Sequence, residues 1–78
     1  MKVYVKLKNC CKSQDERTRL EDIFKQAMLG FIPSVEKLKL EKDAFSHDWD
    51  AAIKRGYWAL EDLSGPEIAK LQVEIEIK

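Results

Sequence analysis

The chain carries one histidine, His47, inside the run Ser46-His47-Asp48-Trp49-Asp50, and two cysteines, Cys10 and Cys11, side by side. Imidazoles, carboxylates and thiolates build metal centres and nucleophile pairs, so these residues are where chemistry would be sought. A metal needs ligands that converge at fixed distances. At about 100° per residue in a helix, His47, Asp48 and Asp50 point in different directions. A site joining them to Cys10 and Cys11 would lack any CxxC or HxxxH spacing. A cysteine–histidine pair would have its members at the end of a strand and the start of a helix, with no third residue indicated to orient the base. The glycines, Gly30, Gly56 and Gly65, are too scattered to form a phosphate-cradling loop. The sequence therefore points to no catalytic residue, metal, cofactor or small-molecule substrate.

Two adjacent cysteines strain an intramolecular disulfide and cannot staple distant segments. They read as reduced thiols, which places the protein in the cytoplasm. The start, MKVYVKLKNC, alternates lysine with apolar residues and offers neither a secretory signal nor a membrane span. Fourteen Lys and Arg balance fourteen Asp and Glu, so no global field steers the chain toward nucleic acid or an acidic membrane. With 78 residues, of which 45% are apolar and 36% charged, one folded domain over 1–78 is expected.

The elements follow from periodicity. Residues 2–8 set Val3, Val5 and Leu7 against Lys2, Tyr4, Lys6 and Lys8, the alternation of a half-buried strand. Ser13 and Glu16 form a capping box that opens a helix with a stripe of Leu20, Ile23, Phe24, Ala27 and Met28. Gly30 is its expected left-handed stop, and Pro33 prevents continuation. Residues 35–41 read as a second strand, with Leu38 and Leu40 facing away from Lys37, Lys39 and Glu41, although Val35 falls on the polar side. Ser46 caps a second helix, with Asp48 and Asp50 near the positive end of its dipole. Its inward stripe is Trp49, Ala52, Ile53, Gly56, Leu60 and Leu63, and Phe45 continues that line just outside the start. Gly56 in an inward stripe implies close approach to the sheet or to the first helix. Ser64, Gly65 and Pro66 end the helix, and a short turn through Glu67 is expected.

The last segment, LQVEIEIK, sets Leu71, Val73, Ile75 and Ile77 against Gln72, Glu74, Glu76 and Lys78. Its outer acids match the outer lysines of the first strand, which makes the two neighbours. The expected architecture is α+β in the order β-α-β-α-β. It is a two-layer sandwich whose three-stranded mixed sheet has the first strand central, with both helices on one face.

Two surfaces can then bind. Trp58 comes nine residues after Trp49, about half a turn out of phase, so it faces away from the core. Tryptophan and arginine are enriched among interface hot spots. Trp58, Arg55, Tyr57, Lys54 and His47 are accordingly the expected contacts for a protein partner or a second copy of the chain. Folding of residues 64–70 over Trp58 would remove that surface. The alternative is the lysine-rich sheet face of Lys2, Tyr4, Lys6, Lys8, Lys37 and Lys39, whose chemistry suits single-stranded nucleic acid. Glu74 and Glu76 beside it argue against that use. A third route is strand addition along Val73, Ile75 and Ile77. The expectation is a non-enzymatic interaction module, an adaptor or protein inhibitor, with a nucleic-acid-binding domain as the alternative.

Overall fold

In the computed structural model the described residues are 1–9, 13–64 and 71–78, with the side chains of Leu63 and Ser64 outside the description. Five elements follow in order: β1 (Val3–Lys8), α1 (Gln14–Phe31), α2 (Val35–Asp43), α3 (His47–Ser64) and β2 (Gln72–Ile77). The protein is a small α+β fold with three helices and a two-stranded antiparallel sheet.

The terminal strands pair as their charges suggest. Tyr4 lies opposite Glu76, Lys6 opposite Glu74 and Lys8 opposite Gln72, while the Lys8 Nζ reaches the Glu74 carboxylate at 3.1 Å. On the inner face Val3, Val5, Leu7 and Ile77 are buried, and Val73 and Ile75 are half-buried against the same core. The Leu7 amide points off the free edge of β1, where the Glu21 carboxylate of α1 accepts its hydrogen bond at 2.8 Å. That bond fixes α1 against the strand and occupies one position of an edge that no other strand pairs with among the described residues.

The expected three-stranded mixed sheet does not form. Residues 35–41, read as its second strand, lie in α2. The local chemistry of this segment favours a helix. Ser34 caps it, its Oγ accepting the Lys37 amide at 3.2 Å, and Lys39 pairs with Asp43 one turn on at 2.8 Å. Lysine, glutamate and leucine are good helix formers. Val35, the misfit in the strand pattern, is half-buried three residues before Leu38, which is the helical spacing. Leu38 is fully buried whereas Leu40, about 200° away around a helix, is 67% exposed.

α1 and α3 form the main helical layer, with α1 against β1 and α2 leaning on α3. Ser13 caps α1 through the Glu16 amide, and Leu20, Phe24 and Met28 are buried. Gly30 is not the stop: α1 runs through Phe31 and leaves through an extended Ile32 ahead of Pro33. Ser46 caps α3, accepting the Trp49 amide at 3.1 Å, and Trp49, Ala52, Gly56 and Leu60 face inward. A Cβ on Gly56 would lie 2.6 Å from the Phe24 ring, so the glycine lets α3 approach α1 closely at that point. Tyr57 meets the same ring edge-on at 5.3 Å and donates its hydroxyl to the Leu71 carbonyl at 3.3 Å, tying α3 to the start of β2.

Phe45 departs from its expected place. It does not continue the inward line of α3 but is 85% exposed. It sits at φ 50° immediately after the C-cap of α2, where its amide bonds to the Lys42 carbonyl and the Ser46 amide to that of Glu41. This is a Schellman closure whose left-handed position holds phenylalanine where glycine is usual.

Candidate functional site

The outer face of α3 sets an exposed aromatic ring beside a cation. Its inward stripe leaves the opposite side to Asp48, Ala51, Arg55 and Trp58, and Trp58 is 54% exposed. Arg55 is one helical turn before Trp58, and its guanidinium carbon lies 5.7 Å from that ring's centroid. From the end of α1, Phe31 brings a second ring within 5.3 Å of the same carbon and is itself 37% exposed. Such contacts hold an exposed guanidinium by its face, with about 0.5–1 kcal/mol of attraction each, and leave its N–H edges unspent. Among the described residues Arg55 has no ion pair and no hydrogen bond. Beside it, Ala27, Gly30, Phe31 and Arg55 line a shallow depression of about 290 Å³.

The sequence-derived contact set divides here. Trp58 and Arg55 are together, and Lys54 is exposed on the adjoining turn. Tyr57 turns inward to Phe24 and Leu71 and belongs to the packing. His47 is exposed in the first turn of α3, three turns before Trp58, which at 1.5 Å per residue is roughly 16 Å along the axis. Phe31 was not singled out in the sequence because helical spacing within α1 carries no information about its neighbour on α3. Apolar character alone reads as core, which hides the exposure of Phe45. Residues 65–70, one possible cover for Trp58, lie outside the described residues, as do Cys10 and Cys11.

The lysine-rich sheet face is smaller than expected. Lys37 and Lys39 belong to α2, so that face keeps Lys2, Tyr4, Lys6 and Lys8. Tyr4, Lys6, Glu74, Glu76 and Lys78 line an open depression of about 410 Å³ in which both signs of charge alternate. Glu76 faces Tyr4 across the sheet and also meets Lys78 at 3.3 Å. A phosphate approaching this face would meet carboxylates as closely as ammonium groups.

Among the described residues no three His, Cys, Asp or Glu side chains are grouped to hold a metal ion, and no helix is long and apolar enough to cross a membrane. Comparison with protein families, with curated proteins and with solved structures finds no match for this chain.

Proposed function

We propose that this chain is a small non-enzymatic interaction module, an adaptor or protein inhibitor, whose contact surface is centred on Trp58, Arg55 and Phe31. The observation that carries the reading is the exposed Trp58 ring beside a guanidinium that two aromatic rings hold and no carboxylate engages among the described residues. The fold draws little from this arrangement, since Trp58 lies opposite the core stripe of α3. An aromatic and arginine centre with a polar surround matches the composition of interface hot spots. A cytoplasmic setting is part of the reading, supported by two adjacent cysteines that read as reduced thiols. Nucleic-acid binding through the sheet draws less support, because Glu74 and Glu76 share the face with its lysines.

The test is affinity capture from the native host with wild-type chain and with Trp58→Ala, bound proteins being identified by mass spectrometry. The variant should retain the far-ultraviolet dichroism of the wild type and lose the captured partner. Equal capture by a folded Trp58→Ala chain would sink the proposal.

A further inference from the structure

The exposed side of α3 is complementary to itself. Asp48, Ala51, Arg55 and Trp58 recur at spacings of three, four and three residues, which places them on one stripe along the helix. Phe45 stands just before the Ser46 cap of the same helix. Asp48 and Arg55 are both exposed, and neither has an ion-pair partner among the described residues.

When two copies of a helix lie antiparallel about a two-fold axis, each residue meets the one equally far on the other side of the crossing point. With the crossing between Ala51 and Ala52, Asp48 and Arg55 are each about 5 Å from it along the axis, at 1.5 Å per residue. Each Asp48 then stands level with Arg55 of the other copy, twice over. The same crossing puts Trp58 about 10 Å out, toward the end of the other copy's α3 that Phe45 precedes. Ala51 at the centre is small enough for the axes to approach closely, near the lower end of the usual 8–10 Å separation. The two aromatics brought together are among the most exposed large apolar side chains, Phe45 at 85% and Trp58 at 54%.

We infer that this face binds a second copy of the chain, as a two-fold dimer built on antiparallel α3 helices. Arg55 of each copy meets Asp48 of the other, and Phe45 packs on Trp58. The inference rests on the reading of the Trp58 face as an interaction surface and names its occupant. Two observations unexplained by the monomer fall into place. Phe45 holds a left-handed backbone position that disfavours a side chain, yet its ring lies in solvent. Arg55 is positioned by Phe31 and Trp58 with its N–H edges free. A net charge of zero adds no long-range repulsion between copies.

Sedimentation equilibrium over a wide concentration range, with charge reversals at these exposed positions, tests the inference. The wild type should dimerise. Arg55→Asp alone and Asp48→Arg alone each set like charges together twice, and should raise the dissociation constant at least about tenfold with dichroism unchanged. An equimolar mixture of the two single variants should recover association as a heterodimer, because Asp48 of one chain then meets Arg55 of the other and the two introduced residues also pair. The double variant Asp48→Arg/Arg55→Asp should recover as a homodimer. A wild type that stays monomeric overturns the inference, as does a dimer indifferent to the reversals or a mixture that fails to recover. If the chain is monomeric while Trp58→Ala still abolishes capture of a different protein, self-pairing is overturned and the broader interaction reading stands.

Discussion

Residues 2–8 and 35–41 are close in pattern, Lys-Val-Tyr-Val-Lys-Leu-Lys against Val-Glu-Lys-Leu-Lys-Leu-Glu, yet the first holds the strand Val3–Lys8 and the second lies in a helix. Both alternate apolar residues with lysine. What separates them is the company each keeps. The β1 segment contains two valines and a tyrosine, suited to a pleated surface, and has an acidic strand, β2, to pair with. The α2 segment has Ser34 at its start, a Lys39–Asp43 pair one turn apart and helix-forming residues between. An alternation over seven residues is thus a weak signal when caps and one-turn pairs point elsewhere.

The largest effect that can break this comparison lies in the two leucines of α2. As a helix, α2 buries Leu38 and exposes Leu40, so Leu38→Ala should cost about 2–5 kcal/mol in urea unfolding and Leu40→Ala no more than about 0.5 kcal/mol. Similar losses at both positions would restore the strand reading. A smaller effect is expected at the cap. Ser34→Ala removes the acceptor for the Lys37 amide and should lower stability by about 1 kcal/mol, with Ser34→Asp retaining it. Indifference to both changes would mean that packing on α3, rather than local chemistry, holds the helix.

The smallest effect belongs to the strand side. Glu74→Lys places a cation opposite Lys6 and beside Lys8, and should cost roughly 0.2–1 kcal/mol. Adding Lys8→Glu should return much of that loss, and the loss should shrink as salt is raised. Additive losses in the pair of variants would show that charge matching contributes nothing to the β1–β2 register.

Much of the scaffold was legible because it depends on local spacing. The stripes of α1 and α3, the caps at Ser13 and Ser46 and the outward phase of Trp58 all follow from positions within one element. The approach at Gly56 was legible too, since a glycine in an inward stripe implies a close neighbour, although Phe24 as that neighbour was not. The errors share a cause. At Gly30, Phe45 and residues 35–41, one residue type or one period points one way where a competing local preference decides the outcome. In the candidate site, Trp58 and Arg55 could be placed on one helix face from spacing alone. Phe31 could not, because it comes from another helix. Tyr57 was set on the wrong side of the surface, since its position between the two faces of α3 is decided by what lies beside it.

By itself, then, the sequence determined the amphipathic stripes of β1, α1, α3 and β2, the pairing partners implied by opposite charges on β1 and β2, and the half-turn offset that turns Trp58 from the core. These are properties of covalent order and helical or pleated period. The tertiary structure alone decided that Phe31 of α1 meets Arg55 of α3, that Gly56 meets the Phe24 ring and that Tyr57 turns inward to the Leu71 carbonyl. Each of these depends on distances between segments remote in sequence, which only the packed chain brings together.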